Sequence, residues 1–246
     1  MSLKKIIRSA KIYLWKRQAG VSELPPENLR YRVHGNKDLY TFLKVGRTFR
    51  SDIKSALKRI DKKISSFQNI LDFGCGCGRP LMWLANRSGR SFFYGTDIDE
   101  STISWCRANM KHCKFGVNGH LPPLEYPAEN FDLIYALSVF THLNREYQAR
   151  WLEELKRVAK KDCILLITIQ GKSIWENLPK EDRERVRKDG FAFRQSGFWK
   201  NIFPDWYEDA YFTREHALDE YGKYFKVLDY LPKGLNNHQD ILILQK

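Results

Sequence analysis

Residues 70–79, ILDFGCGCGR, constrain what this 246-residue chain can fold into more than any other stretch. They read as an apolar strand ending in the acid Asp72, then alternating glycines Gly74, Gly76 and Gly78, then a helix from Arg79 or Pro80. A strand feeding a glycine turn and a helix suits a ligand that needs close backbone approach, because glycine lacks the Cβ that would block it. A dinucleotide site would want G-x-G-x-x-G with a pyrophosphate on the helix N-terminus. Here Arg79 holds the third position, which counts against NAD, and no Lys-Ser or Lys-Thr follows, which disfavours a P-loop.

Downstream segments fit an open sheet. Residues 91–96, SFFYGT, read as a second buried strand running into Asp97-Ile98-Asp99. Asp97 lies 21 residues past Gly76, where an acid can accept two hydrogen bonds from a ribose diol. Asp99 is better placed to cap the helix that starts near residue 100. Residues 131–136, FDLIYA, are nearly continuous in apolar side chains, as a strand covered on both faces should be. They lead into LSVFTHL at the carboxyl edge, where open α/β sheets bind ligands. Residues 163–169, CILLITI, predict a central strand, and residues 225–230 and 241–244 a hairpin-like closing pair.

The D-x-G-C-G-x-G pattern from Asp72, the acid Asp97 and the run FDLIYALSVFTHL together resemble the class I S-adenosylmethionine-dependent methyltransferases of the small-molecule type. The resemblance implies an α/β, Rossmann-like three-layer sandwich with a seven-stranded, mostly parallel sheet whose last strand is antiparallel. It implies S-adenosyl-L-methionine as cofactor, with Asp72, Gly74, Cys75 and Gly76 in the turn around its methionine end. Asp97 would take the ribose, and Ile98 and Asn118 the adenine. An amide at Asn118 can donate to and accept from an adenine edge, or it can close an Asx turn before Gly119. Enzymes that methylate exocyclic base amines usually carry D-P-P-Y or N-P-P-Y where this chain has ALSV, which argues against those nitrogens and leaves other RNA positions open. His238-Gln239-Asp240 resembles the ending of bacterial relatives, some associated with glycan modification.

His142 is the titratable group of interest for the acceptor: an imidazole can take a proton from a hydroxyl near neutral pH, or it can hold its loop through a backbone hydrogen bond. Residues 29–36, LRYRVHGN, precede the glycine turn, where the resemblance implies helices that cover the cofactor. Tyr31, Arg32 and His34 are therefore candidate pocket residues or surface decoration. Leucines, isoleucines and phenylalanines at steps of three and four from Leu39 to Ile64 predict one long helix. From residue 171 to 212 the periodicity lapses into interleaved aromatics and cations, Trp199 among them, which predicts a lid or substrate insert. Glu153 and Glu154 read as solvated charges on a helix.

A net charge of +13 favours anionic partners without choosing between nucleic acid, acidic lipid and a charged substrate. Five cysteines, two of them inside the glycine turn, suit a reducing compartment, and Cys75-x-Cys77 without a second pair reads as small-residue packing, not a metal site. No stretch approaches the ~20 apolar residues of a membrane span, so a cytoplasmic location is expected. Residues 1–26 form a basic amphipathic helix and a linker ahead of a single domain over 27–246. That helix places Leu3, Ile6, Ile7, Ala10 and Leu14 on one stripe amid lysines and arginines, for docking on its own domain or on anionic membrane. The expected function is methyl transfer to an oxygen or nitrogen of a small-molecule or glycan acceptor. RNA methylation, or cofactor binding without chemistry, stays open.

Overall fold

The computed structural model describes residues 3–85, 89–194 and 207–246. Its strands are β1 (Asn69–Phe73), β2 (Phe92–Asp97), β3 (Cys113–Val117), β4 (Phe131–Ala136), β5 (Ala159–Ile169), β6 (Phe191–Arg194), β7 (Asp209–Phe212), β8 (Lys226–Leu235) and β9 (Gln239–Gln245). Seven of them form one sheet in the order β3-β2-β1-β4-β5-β9-β8, and β6 and β7 pair separately as an antiparallel ribbon. The first five strands run parallel, and the last, β9, is antiparallel to both β5 and β8. The expected Rossmann-like sheet is therefore present.

Consecutive strand residues point to opposite faces, and here both faces are apolar. Ile70, Leu133, Leu166 and Ile243 face one core, while their neighbours Leu71, Ile134, Leu165 and Leu244 face another. The helices are α1 (Leu3–Gln18), α2 (Glu27–His34), α3 (Leu39–Lys58), α4 (Leu81–Leu84), α5 (Glu100–Asn109), α6 (Arg145–Val158), α7 (Lys172–Trp175), α8 (Lys180–Asp189) and α9 (Arg214–Gly222), of which α7 and α8 pack on the β6–β7 ribbon through Trp175 and Val186. Phe42, Leu43 and Ile53 of α3 join Met82 and Ile103 on the first face. Trp151 and Leu155 of α6 and Tyr221 of α9 fill the second. The result is a three-layer sandwich.

Because β1 connects outward to β2 and β3 on one side and to β4 and β5 on the other, the strand order reverses between β1 and β4. Their pairing sets Asp72 beside both Gly95 of β2 and Tyr135 of β4, so the carboxyl ends of three strands lie level at the crevice where such sheets bind ligands.

Several local expectations are corrected. The stripe from Leu39 to Ile64 is not one helix: α3 ends at Lys58, Asp61 takes a left-handed φ of 55°, and residues Ile64–Ser66 form a separate 3-10 turn. Residues 29–36 contain a helix, α2, closed by Gly35 at φ 65°. Residues 171–212 carry α7, α8, β6 and β7 where periodicity alone showed no elements. Glu154 is buried rather than solvated: its Oε1 accepts from Leu124 N at 2.7 Å and from Arg157 Nη2 at 2.6 Å, tying a loop to α6.

Candidate active site

The glycine turn is shaped by backbone hydrogen bonds to the end of β2. Gly74 N and Cys75 N both donate to Thr96 O, at 2.8 and 3.0 Å. Gly74 has φ 76° and an added Cβ would stand 2.2 Å from Val139 Cγ2, while a Cβ on Gly76 (φ 52°) would stand 2.7 Å from Val33 Cγ2. Both glycines are thus required by conformation and by the segments that close over them. Gly76 N donates to Asp97 Oδ2 at 2.7 Å and Asp99 N to Asp97 Oδ1 at 2.9 Å, so each carboxylate oxygen is oriented by one backbone N–H and keeps further acceptor capacity. Burial raises the Asp97 pKa and these bonds counter it. The Asp99 side chain caps α5 through Ser101 N at 3.0 Å and pairs with Arg32 Nε at 2.9 Å.

Asp72, at the floor of the turn, is almost wholly buried. Burial pushes its carboxyl well above the usual carboxylate range, and the Tyr135 hydroxyl on the paired position of β4 pulls the other way. Its Oδ2 nonetheless has no well-formed hydrogen bond. A buried carboxylate oxygen lacking a partner costs free energy that a cationic ligand group would recover. Cys75 and Cys77 are buried free thiols whose pKa burial raises, so they pack the turn as thiols. Among the described residues no cluster of His, Cys, Asp or Glu is arranged to hold a metal ion.

A cavity of about 450 Å³ opens above this turn. Asp72, Gly74, Cys75, Gly76, Asp97, Ile98 and Asn118 all line it, as do Arg32, His34 and His142. Tyr31 does not: it lies on the exposed side of α2, 36% accessible, because a helix sends adjacent residues to different faces. Trp199 lies outside the described residues.

Each polar group in the wall is held in a definite state. The Asn118 Oδ1 accepts from Thr96 Oγ1 at 2.7 Å and its Nδ2 donates to Gly119 O at 2.7 Å, fixing the amide across the turn. Arg79 Nη1 donates to His34 Nδ1 at 3.0 Å, so Nε2 carries the His34 proton and faces Thr41 Oγ1 at 3.2 Å. Burial, with Arg79 alongside, lowers the His34 pKa to about 4, which keeps this ring neutral.

His142 has the opposite tautomer. It ends a 3-10 turn (Phe140–His142) after β4, is 7% accessible, and stacks on Tyr207 with ring centroids 4.3 Å apart. Its Nδ1 lies 3.1 Å from Glu208 O, and a carbonyl can only accept, so Nδ1 carries the proton and Nε2 is the basic nitrogen of the neutral ring. Asp209 Oδ1 stands 3.4 Å from the same Nδ1. Beside it, Ser138 adopts φ 60°, a conformation costly for a side-chain-bearing residue. Its N–H donates to Thr168 Oγ1 and its Oγ to Gln239 Oε1. Tyr207, Asp209, Gln170 and Gln239 line the cavity with it. Asp209 and Gln170 carry no signal in the sequence, and Tyr207, Gln239, Arg79 and His120, which also line the cavity, are not marked by it as wall residues. The positions after β4 and β5, at the carboxyl ends of those strands, meet the amino ends of β7 and β9 only once the strands have paired, and no spacing along the chain marks them.

A methyltransferase-domain family model matches residues 70–162, which span β1 to the start of β5. The chain is 28% identical over 167 residues to the phosphoethanolamine N-methyltransferase of Plasmodium falciparum, covering 66% of this chain and 62% of that protein. It is 26% identical over 123 residues to the methyltransferase GfsG of Streptomyces halstedii, covering 46% and 42%. The matched segments thus span less than two thirds of these relatives' own lengths. Among solved structures, an S-adenosylmethionine-dependent methyltransferase from Mesorhizobium loti superposes with a TM-score of 0.60 at 15% identity, covering 78% of this chain and 96% of that one. One from Methanosarcina mazei gives 0.52 at 20% identity, covering 72% and 92%. These structural likenesses concern the fold. The Gly74–Gly76 turn, the partnerless Asp72 oxygen and the oriented Asp97 carboxylate fit a ligand with a cationic end and a ribose, as S-adenosylmethionine has. Residues 70–162 thus match a methyltransferase domain, and the sheet and glycine turn they build have the fold of the class I S-adenosylmethionine-dependent methyltransferases.

Proposed function

We propose that this chain transfers a methyl group from S-adenosylmethionine to an oxygen or nitrogen of a small-molecule or glycan acceptor. The observation that carries the reading is a single cavity whose wall joins the Gly74–Asp97 turn to His142 and Asp209. When bound, S-adenosylmethionine supplies an electrophilic methyl on a sulfonium. Asp72 would hold the ammonium of the methionine end, and Asp97 would accept from the ribose hydroxyls. Positioning of this kind supplies much of the rate in such displacements. His142 Nε2 takes the proton that an acceptor hydroxyl or amine must lose, and Asp209, 3.4 Å from Nδ1, stabilises the imidazolium that results. Arg32, Val33 and His34 of α2 roof the cavity and restrict water. The sequence relation to a phosphoethanolamine N-methyltransferase supports a small polar amine as one acceptor class.

Thermal-shift measurements with S-adenosylmethionine, S-adenosylhomocysteine and NAD test the cofactor: stabilisation by NAD alone overturns the reading. Incubation of the protein with methyl-labelled cofactor and fractionated extract then tests the acceptor. Label in the small-metabolite or lipid-linked glycan fraction supports the assignment. Label confined to RNA, or cofactor bound but never consumed, defeats it.

A further inference from the structure

The amino-terminal helix α1 uses two opposite faces for two purposes. With 3.6 residues per turn, Arg8, Ile12, Trp15 and Ala19 fall on one side. That side is fastened to the domain: Arg8 pairs with Asp38, Trp15 stacks on Tyr40 at 5.2 Å, and Ala19 is buried in the main core. Beyond the helix, Gly20 N donates to Met82 O at 2.9 Å and Ser22 N to Asn109 O at 3.0 Å, which fixes its carboxyl end. The rotation of α1 is therefore set, and it turns Leu3, Ile6, Ile7, Tyr13 and Leu14 outward with accessibilities of 72, 47, 47, 62 and 53%. They make up five of the seven exposed large hydrophobics among the described residues. Scattered exposed leucines are ordinary, but five aligned on one helix face are not.

The charge around this ridge identifies its occupant. The first 22 residues hold six cations and no acid, the first carboxylate being Glu23. Lys5, Lys11 and Lys16 are exposed on the flanks, and Arg17 lies over the Tyr13 ring at the carboxyl end of the ridge. A nucleic acid would be met by the cations but has no use for a row of aliphatic side chains, and a second copy of so basic a helix would repel it. An anionic lipid surface satisfies both features, the acyl boundary taking the ridge and the headgroups the flanking cations. Among the described residues no helix is long and apolar enough to cross a membrane. We infer that α1 lies in the plane of an anionic bilayer surface, with Leu3, Ile7 and Leu14 in the acyl boundary and its other face holding the domain.

Co-sedimentation of the full chain with phosphatidylcholine vesicles, with and without about one-third phosphatidylglycerol, tests this. Binding should require the anionic lipid and weaken with salt. Ile7→Glu with Leu14→Glu should lower vesicle affinity by roughly a hundredfold, since two buried aliphatic side chains are lost, while the melting temperature and S-adenosylmethionine binding stay as in the wild type. Lys11→Gln with Lys16→Gln should lower affinity by roughly tenfold or more, at about 1 kcal/mol per cation. Equal vesicle binding by the Glu variant and the wild type overturns the proposal. So does an absence of vesicle binding, whether accompanied by RNA binding that the Glu variant retains or by a dimer that the Glu variant dissolves.

Discussion

At the cofactor end of the cavity, shape rests on backbone N–H groups from one short turn: Gly74, Cys75 and Gly76 all bond to the last two residues of β2. The other end, where we propose the acceptor sits, is instead assembled from groups brought together over long separations, His142 with Glu208 across 66 residues and Ser138 with Gln239 across 101. A turn held by its own backbone fails as a unit, losing fold and ligand together. A wall of side chains from separate loops can lose one function while the rest stands. The two histidines show the same contrast, since Nδ1 of His34 accepts from Arg79 whereas Nδ1 of His142 donates to Glu208 O.

The sharpest way to separate the two ends is His142→Ala. Loss of a general base should slow methyl transfer by roughly 10²–10⁴-fold, with S-adenosylmethionine affinity by titration calorimetry unchanged. A matching loss of affinity would show that the ends are not independent. At the other end, Gly74→Ala forces a left-handed conformation and a clash with Val139, for a destabilisation of roughly 2–4 kcal/mol in urea unfolding. Cofactor binding should fall with it.

Asp97→Asn is gentler. Both carboxylate oxygens face backbone N–H donors, so the amide must turn its own N–H₂ toward one of them. A loss of roughly 10- to 100-fold in S-adenosylmethionine affinity is expected, with turnover at saturating cofactor much less affected. An unchanged affinity would remove Asp97 from the ribose role.

The smallest effect concerns pH. His34 has a folded pKa of about 4 against an ordinary 6.5, so the folded state holds fewer protons there than the unfolded one. The associated stability is present above pH 6.5 and is lost as pH falls toward 4. His34→Gln, which can still accept from Arg79, should flatten that part of a plot of stability against pH. A slope identical to wild type would mean that other groups produce it.

Much of this was legible before any coordinates. The glycine turn, Asp97 and the apolar runs of β1, β4 and β5 are local patterns whose chemistry depends on neighbours in the chain, so spacing suffices to find them. The cap on α5 was legible for the same reason: Asp99 Oδ1 accepts from Ser101 N. Glu154 was misread, and Tyr31 was left open between pocket and surface, because burial on a helix depends on which neighbour packs against each face. A polar stretch such as residues 29–36 carries little periodicity to reveal that.

The sequence by itself determined the layered α/β fold and the cofactor turn, since hydrophobic period and glycine placement act over a few residues. Only the tertiary structure decided the tautomers of His34 and His142, the joining of Asp209 and Gln239 to the cavity wall, and which face of α1 stays outside. These depend on partners tens of residues away, and such partners become neighbours only once the strands have paired and the loops at one edge of the sheet meet.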